Sequence, residues 1–373
     1  MTARLVALDL PGGSRFVEAL QTVWDRGDAA FPVDQRLPPP AKAAVMAAMA
    51  PASAIDVGGD EITLDGGRPV EPGDALVVAT SGSTGAPRGV VLTHAAVEAS
   101  ALATSERLAV SGDDHWLACL PLSHVGGLAV VTRALATGVT LTVHPTFDAV
   151  AVEAAAAGGA TLTALVATAL ARIDPSRFRT IVLGGAAPPP DRPANTVTTY
   201  GMTETGSGVV YDGRPLSGVD VGIDDDGEIH LRCPMLLRAY RDGTVPIRDG
   251  WFATDDLGIW LDDGRLHVVG RRTELIITGG ENVWPHQVEA ALADHPLVAD
   301  VAVGGVADAE WGQAVGAFIV PAERSNPPTL DALRAHVKES LPAHCAPRRL
   351  VVVAHIPRTA LGKIRRQALQ RNP

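Results

Sequence analysis

The chain has 373 residues, 46% of them hydrophobic, and is therefore long enough to bury a large core in two or three domains. Its formal net charge of -11 argues against non-specific nucleic-acid binding, which normally requires a basic excess. The three cysteines are widely separated and form no Cys-x-x-Cys pair, so they suggest neither a disulfide framework nor a structural zinc site.

The N-terminal region shows no export or membrane signal. Asp9 interrupts residues 1–10 before an apolar segment of signal-peptide length can develop. Residues 41–55 are too short and too rich in alanine to cross a bilayer. We therefore expect a soluble, cytoplasmic protein that binds neither nucleic acid nor membranes.

The first predicted helix lies near the N-terminus. Phe16, Leu20 and Val23 share one helical face, and the proline-rich residues 37–40 should form a connection. We predict that this segment is a flap that packs against the main fold.

Residues 80–90 are typical of a phosphate-binding loop. Their three glycines free backbone N–H groups to point at one anion, and four hydroxyl side chains add further donors. The apolar residues 75–79 and 90–92 predict a strand on each side of the loop. The spacing does not fit a Walker-type loop. A flexible polar connection between two strands is the alternative.

Helices and strands alternate after this loop. Thr93 is placed to cap a helix that ends near Leu108. The elements predicted next are strands at residues 116–120, 139–143, 180–183 and 196–199, and helices from residue 128, at 147–157 and at 162–173. This order predicts parallel sheets flanked by helices, with ligands at the carboxyl ends of strands.

Two changes of pattern follow towards the C-terminus. Residues 211–266 predict short strands separated by Asp/Gly turns, as in an antiparallel unit. Beyond Arg271 the predicted elements are strands at residues 274–278, 298–303, 314–320 and 349–354, and helices at 285–295 and 330–341. We therefore predict an α/β fold with a large domain at 1–270, composed of helix-flanked sheets and a small β-rich unit. A compact α+β domain follows at 271–373.

Polar residues that suit nucleotide chemistry collect at the predicted strand ends. Residues 200–205 combine a tyrosine that can stack on a purine, hydroxyls for phosphate oxygens and a carboxylate for Mg²⁺. An edge tyrosine beside an ordinary turn is the alternative. The pair Asp255–Asp256 suits ribose hydroxyls, with solvated turn acids as the alternative.

Basic residues follow in two places. Arg271 and Arg272 stand where the pattern changes, and linker arginines more often face solvent than act in a site. Lys363 stands near the C-terminus, with Arg365 and Arg366 close behind it. A basic terminal helix is the ordinary interpretation of such a run.

In this order, residues 80–90, 200–205, 251–258, 270–289 and 357–366 resemble the motifs of the adenylate-forming superfamily, which includes acyl-CoA synthetases, peptide-synthetase adenylation domains and luciferases. The resemblance implies ATP, Mg²⁺ and CoA as co-substrate and cofactors. It also implies a two-step reaction. A carboxylate first attacks the α-phosphate of ATP and releases pyrophosphate, and the acyl-adenylate then gives its acyl group to a thiol while the C-terminal domain swings about a hinge.

The resemblance also implies roles for individual residues. Lys363 would contact the α-phosphate and the substrate carboxylate, Glu204 would hold Mg²⁺, and His124 would stand beside the reacting carbonyl. The remaining implied sites are phosphate binding by Thr80, Ser81, Gly82, Ser83, Thr84, Gly85, Arg88 and Thr203; adenine and ribose binding by Gly184, Gly185, Ala186, Tyr200, Gly201, Asp256 and Arg271; an acyl pocket at His124, Gly126, Thr205 and Ser207; a CoA face at Gly279 and Gly280; and a hinge at Thr273.

Several positions depart from the family pattern. Arg88 stands where lysine is usual, Asp255 stands where glycine is usual, and Thr273 stands where aspartate or lysine is frequent. Arginine keeps the charge of lysine but changes its reach. Because the first motif begins at residue 80, we also expect much of the family's N-terminal subdomain to be missing or shortened.

The short front and the segments Leu-Ser-His-Val-Gly-Gly-Leu and Thr-Gly-Gly-Glu-Asn-Val resemble the o-succinylbenzoate–CoA ligase branch of menaquinone biosynthesis. That substrate is an aromatic dicarboxylic acid, so its non-reacting carboxylate needs a donor. Ser207, Thr205, Arg133 and the arginines around residues 173–178 are the candidates. Other aryl- or acyl-CoA ligases, carrier-protein-loading enzymes and a catalytically silent nucleotide-binding homologue remain open, as does a homodimer formed through apolar surface.

Overall fold

The computed structural model describes residues 2–81, 87–185, 188–189, 191–358 and 364–370. It divides into two compact units. The larger unit comprises Met1–Gly222, His230–Ala253 and Trp260–Leu266, and the smaller comprises Ile223–Ile229, Thr254–Ile259 and His267–Pro373. Within the described ranges, no helix combines the length and the apolar character needed to cross a membrane.

The elements follow one another in a mixed α/β order. The strands are β1 (Leu5–Leu8), β2 (Ala29–Pro32), β3 (Ser53–Ile55), β4 (Glu61–Thr63), β5 (Asp74–Ser81), β6 (Pro87–Thr93), β7 (His115–Ala118), β8 (Thr140–Val143), β9 (Leu162–Leu165), β10 (Thr180–Leu183), β11 (Thr196–Gly201), β12 (Gly208–Tyr211), β13 (Arg214–Pro215), β14 (Asp220–Ile223), β15 (Glu228–Arg232), β16 (Ala239–Tyr240), β17 (Ile247–Arg248), β18 (Trp251–Trp260), β19 (Leu266–Arg271), β20 (Ile276–Thr278), β21 (Glu281–Val283), β22 (Val298–Asp308), β23 (Gly312–Pro321) and β24 (Arg349–Val352). The helices are α1 (Ser14–Asp25), α2 (Pro39–Met49), α3 (His94–Arg107), α4 (Val125–Thr137), α5 (Ala149–Ala157), α6 (Ala167–Leu170), α7 (Pro285–Ala293), α8 (Leu330–Ser340) and α9 (Arg366–Gln370).

The N-terminal segment forms part of a seven-stranded sheet, so the predicted packing flap is wrong. The strand order is β16-β6-β5-β2-β1-β3-β4, with β3, β1, β2 and β5 parallel. The predicted helix is present as α1, and it buries Phe16, Leu20 and Val23. The strands were missed because short runs such as Leu5–Leu8, which is fully buried, show no alternation that would identify them.

A second seven-stranded sheet carries the predicted parallel arrangement. Its order is β13-β12-β11-β10-β9-β7-β8, and its strands are parallel from β8 to β11. The helix predicted at residues 162–173 is wrong, because Leu162–Leu165 is strand β9 and only Ala167–Leu170 is helical. All four residues of β9 are buried between two neighbouring strands, and a short, largely apolar segment fits a buried strand as well as a helix.

The short strands predicted after residue 211 are present, and several of them form a five-stranded sheet of order β14-β15-β18-β17 with β19 paired to β18. The C-terminal sheet of the smaller unit has the order β21-β20-β23-β22, with β24 paired to β23. Helices α7 and α8 contribute Val288, Leu292, Leu333 and Val337 to the buried core of this unit. The predicted α+β pattern is therefore observed.

Arg366, the first residue of α9, ties the C-terminal helix to the rest of the smaller unit. Its guanidinium donates to both carboxylate oxygens of Glu289 at 2.8 Å, to Glu274 at 3.1 Å and to the carbonyl of Val303 at 3.0 Å. Burial raises the pKa of Glu289, while the Arg366 charge opposes that rise. The Glu289 carboxylate therefore depends on Arg366 to stay charged inside the unit.

Replacing Arg366 with glutamine should destabilise the smaller unit by about 3 kcal/mol at pH 7, because a largely buried carboxylate loses its cation. The Glu289 pKa rises further in this variant, so stability is lost as the pH rises through that pKa and the deficit should shrink towards pH 5. Urea unfolding of the wild type and the variant at pH 7 and pH 5 measures the loss of stability. An equal loss at the two pH values would contradict the role of Arg366 in keeping Glu289 charged. Arg349→Gln, which removes an exposed arginine of the same unit, should cost less than about 1 kcal/mol.

Candidate active site

The carboxyl ends of parallel strands bring the predicted adenine-binding residues to one edge of the second sheet. Strand β10 leads directly into Gly184 and Gly185, and β11 ends with Tyr200 and Gly201. Because Leu183 pairs with Thr198, Gly185 stands level with Tyr200 on the adjacent strand. A β-carbon at Gly184 would lie 2.8 Å from the Thr199 hydroxyl, so the backbone there leaves no room for a side chain. This edge is where ligands of open α/β sheets bind.

A tight turn after β11 presents Glu204. A β-carbon at Gly201 would lie 2.2 Å from the Ser207 carbonyl oxygen, so the turn closes only with glycine at this position. Thr205 is fully buried, and its hydroxyl accepts from the Met202 N–H at 3.0 Å and lies 2.7 Å from the Ser207 carbonyl. The Thr205 side chain therefore fixes the backbone of the turn, and Thr203 begins it.

Tyr240 links Glu204 to the first sheet. Its hydroxyl donates to Glu204 Oε1 at 3.1 Å, and the Arg88 guanidinium stacks 3.4 Å from the centre of its ring. Tyr240 lies on β16 and pairs with Val90 on β6, which brings it beside Arg88. A cation over a tyrosine face is attracted by the negative face of the ring. The buried Tyr240 side chain therefore contacts both the Glu204 carboxylate and the Arg88 guanidinium.

The Glu204 carboxylate fits a magnesium site in which phosphate oxygens supply further ligands. It is half-buried, and Tyr240 donates to one of its two oxygens, while the other oxygen accepts no hydrogen bond from the described residues. Mg²⁺ in nucleotide sites is usually bound by one or two carboxylates together with phosphate oxygens and water. The donor set therefore suits Mg²⁺ bound to ATP rather than a protein cage.

The predicted phosphate loop lies at the tip of the β5–β6 hairpin. Thr80 pairs with Arg88, and the Thr80 hydroxyl donates to the Arg88 carbonyl at 3.2 Å. Ser81 is the last residue of β5. The predicted residues that lie outside the described ranges are Gly82, Ser83, Thr84, Gly85, Ala186 and Lys363.

Helix α4 carries the residues predicted for the acyl pocket. His124 is its N-cap, and Gly126 is exposed in its first turn. Arg133, further along the helix, is 2% exposed. Its Nη2 donates to the Ser207 hydroxyl by a short hydrogen bond and to the Tyr211 hydroxyl at 3.3 Å. Ser207 and Arg133, two of the candidates for the second carboxylate, are thus in direct contact.

The other candidate arginines are placed differently. Arg172 and Arg177 are exposed, and Arg177 lies 3.7 Å from Asp174. Arg133, in contrast, forms no ion pair with any carboxylate of the described residues, and its Nε is buried without a hydrogen-bond partner there. Among the described residues, the hydrogen-bond partners of this buried cation are therefore two neutral hydroxyls.

The ribose-binding candidates lie in the smaller unit. Arg271 stands 3.7 Å from Asp255 and 3.9 Å from Asp256, measured between guanidinium nitrogen and carboxylate oxygen. Asp255 has a φ of 64°, in the left-handed region that glycine adopts without strain. Aspartate tolerates this region better than most residues. The departure from the usual glycine is thus compatible with the backbone.

The predicted CoA face forms a hairpin turn in the smaller unit. Thr278 pairs with Glu281, so Gly279 and Gly280 are the two central residues, and their φ values are 60° and 86°. Two residues with positive φ define the turn type that matches the twist of a hairpin. Thr273, the predicted hinge, lies in the short helical turn Arg272–Glu274.

Tyr240 is the main site residue that sequence reasoning missed. It lies 36 positions beyond Glu204, within an unremarkable pair of strand residues. No local pattern marks it, and only the pairing of β16 with β6 brings it to the site.

The chain matches the family model described as AMP-binding enzyme over residues 56–240, and the model of the AMP-binding enzyme C-terminal domain over residues 287–363. It is 43% identical over 331 residues to a probable 2-succinylbenzoate–CoA ligase of Mycobacterium tuberculosis, covering 82% of this chain and 86% of the relative. These matches confirm the resemblance inferred from the sequence.

Solved structures support the same family relationship. The o-succinylbenzoate CoA synthetase (MenE) of Bacillus subtilis in complex with the acyl-adenylate intermediate OSB-AMP superimposes with a TM-score of 0.88 at 27% identity, covering 99% of this chain and 88% of that one. The same synthetase with ATP and magnesium ion gives a TM-score of 0.86 at 26% identity, covering 100% and 89%. The chain therefore belongs to the AMP-binding, adenylate-forming enzyme family.

Proposed function

We propose that this chain is an ATP- and CoA-dependent ligase that adenylates o-succinylbenzoate and transfers the acyl group to CoA, giving o-succinylbenzoyl-CoA, AMP and pyrophosphate in menaquinone biosynthesis. The names of the relatives and the family membership support the reaction class. The observation that carries the choice of a dicarboxylic acid is the buried Arg133, which has no carboxylate partner among the described residues.

A buried guanidinium without a counter-charge is costly, because charged side chains are almost never fully buried unless they are paired. Among the described residues, Arg133 donates to the hydroxyls of Ser207 and Tyr211 and lies 5.7 Å from the centre of the Trp116 ring, and none of these groups carries a negative charge. The Tyr211 hydroxyl also contacts Thr104 at 3.1 Å. An anionic ligand that reaches Arg133 would supply the missing charge. A substrate with two carboxylates can present one to Arg133 and keep the other for reaction with ATP.

The remaining site residues take roles in the adenylation step. Glu204 would hold the Mg²⁺ that bridges the phosphates, and Tyr200 with the glycines after β10 would hold adenine. Thr80 to Gly85, Arg88 and Thr203 would bind the phosphates. Charge develops on the α-phosphate oxygens, so fixed cations and N–H donors should supply most of the catalysis. Lys363 would contribute the cation nearest the bond being made.

The second step would use the smaller, C-terminal part of the chain. We propose a domain at 1–270 that binds ATP and acid, and a mobile domain at 271–373 that carries Lys363 and the CoA face at Gly279 and Gly280, with the hinge at Thr273. Asp256 and Arg271 would contact ribose. We further propose that two copies form a homodimer, which sedimentation velocity at micromolar concentration would test.

A panel of acids tests the proposed function. Purified protein with ATP, Mg²⁺ and CoA should release AMP with o-succinylbenzoate at least about 100-fold faster than with benzoate or a long-chain fatty acid, because a missing charged contact costs several kcal/mol. A preference for a monocarboxylic acid would reject the substrate but keep the family. Transfer to a holo-carrier protein instead of CoA would indicate a carrier-loading enzyme. An absence of pyrophosphate exchange with every acid would indicate a catalytically silent homologue.

A further inference from the structure

We infer that Asp34, from the N-terminal segment, is a positioning residue for His124 in the acyl-activation step. The inference rests on the proposed function, since it concerns the histidine expected beside the reacting carbonyl. No sequence motif singles out Asp34, and the segment that contains it was expected to be only a flap.

The sheet topology brings Asp34 to the site edge. Asp34 stands two residues after β2, and β2 is parallel to β5, with Ala30 opposite Leu76. Continuing that register places Asp34 level with Thr80, where the phosphate loop begins. The carboxyl ends of these parallel strands therefore share one edge, which is the ligand edge in sheets of this kind.

The Asp34 carboxylate is held in a fixed orientation. It accepts hydrogen bonds from the Arg36 backbone N–H at 3.0 Å, from Arg36 Nε at 2.8 Å and from Arg36 Nη2 at 2.7 Å. Its side chain is 13% exposed. Burial alone would raise the pKa of Asp34, but contacts with His124 and Arg36 outweigh it and hold the pKa well below its usual range. Asp34 is thus a carboxylate throughout the working pH range.

His124 faces this carboxylate. Its Nε2 lies 3.6 Å from Asp34 Oδ2, within ion-pair distance, and is buried without a hydrogen bond to any described residue. A carboxylate beside one ring nitrogen favours the proton on that nitrogen and fixes the ring orientation, which leaves Nδ1 as the acceptor of the neutral ring. Because His124 is also the N-cap of α4, the same contact fixes the start of the helix that carries Arg133.

A double-mutant cycle between Asp34 and His124 tests this. Single-turnover adenylation of o-succinylbenzoate is measured for Asp34→Asn, His124→Ala and the double variant. Asp34→Asn should lower kcat/KM about tenfold, mainly through kcat, and should have little further effect when His124 is already alanine. Asp34→Glu should recover activity to within about threefold of the wild type, because it keeps the charge. Asp25→Asn, which changes an exposed aspartate at the end of α1, is the control and should leave activity unchanged.

Each outcome bears on the inference. A purely structural role for Asp34 would give equal losses in both His124 backgrounds, and this additivity would overturn it. The ring ¹⁵N shifts of His124 give a second readout that needs no substrate: Asp34→Asn should shift the ring away from the Nε2-protonated form, and unchanged shifts would overturn the inference. If the wild type adenylates a different acid, the proposed substrate fails, while the cycle run with that acid and the ring shifts still decide the role of Asp34.

Discussion

Lys363→Ala should abolish acyl-adenylate formation while largely sparing the transfer of the acyl group from supplied acyl-adenylate to CoA. In the first step, negative charge accumulates on the α-phosphate while a carboxylate attacks it, so a positioned cation stabilises the transition state more than the ground state. In the second step the phosphate is leaving, and the CoA face at Gly279 and Gly280 should be in use instead. We expect a loss of at least about 1,000-fold in the first step and less than about tenfold in the second.

The composition of the chain supports this choice of residue. It contains three lysines, Lys42, Lys338 and Lys363, against a much larger number of arginines. The compact ammonium of lysine can contact a single phosphate oxygen from several directions, whereas the planar guanidinium of arginine favours two parallel hydrogen bonds in a fixed geometry. Lys363→Arg should therefore recover little of the lost adenylation, even though it keeps the charge.

Separate half-reactions measure the effect. Pyrophosphate exchange reports the first step, and thioester formation from synthetic acyl-adenylate and CoA reports the second. Lys338→Ala is the matched control, because Lys338 is exposed on α8 in the same unit. Equal losses of both half-reactions in Lys363→Ala would sink the role assigned to Lys363.

Much of the fold was predictable because its strands and helices carry local signals. The N-cap of α3 is one example, since the Thr93 hydroxyl accepts from the Ala96 N–H at 3.1 Å as its sequence position indicated. The alternation of strands and helices from β7 to β11 predicted a parallel sheet, and these strands form one. Strands β1 and β9 were missed because four residues are too few to show a period, and in both strands all four residues are buried, so neither has the alternation of a half-exposed strand.

The candidate site was predictable where its residues stand at strand ends, and not where they meet through pairing of distant segments. Gly184 and Gly185 follow β10 and Tyr200 lies near the end of β11, and the sequence predicts both strands. Tyr240 reaches Glu204 through the pairing of β16 with β6, and Asp34 reaches His124 from a strand that was not recognised. Such contacts depend on how distant segments of the chain pair in the folded protein, and local sequence motifs carry no information about that pairing.

Arg133→Met should produce opposite effects on activity and stability. A methionine of similar length removes a buried charge that has no carboxylate partner among the described residues, so the free protein should be as stable as the wild type or more so. The same change removes the donor for the non-reacting carboxylate, so kcat/KM for o-succinylbenzoate should fall by about 100-fold or more.

The acid panel separates these effects from general damage. Benzoate has no second carboxylate, so its slow turnover should change by less than about threefold in Arg133→Met. The ratio of kcat/KM for o-succinylbenzoate to kcat/KM for benzoate should therefore fall sharply. Arg133→Lys keeps the charge but loses the planar fork, so an intermediate loss is expected. Arg177→Met removes an exposed arginine of the alternative group and should leave both acids unaffected.

The combination of outcomes identifies the role of Arg133. A structural cation would cost stability when removed and would slow every acid equally, whereas a substrate-binding cation costs activity towards dicarboxylates alone. Thermal unfolding with and without o-succinylbenzoate adds an independent measure, since a ligand that binds only the folded state raises Tm by an amount that grows with the logarithm of its concentration divided by Kd. The ligand-induced rise in Tm should be present in the wild type and in Arg177→Met and lost in Arg133→Met. An undiminished rise in Arg133→Met would assign the second carboxylate to another donor.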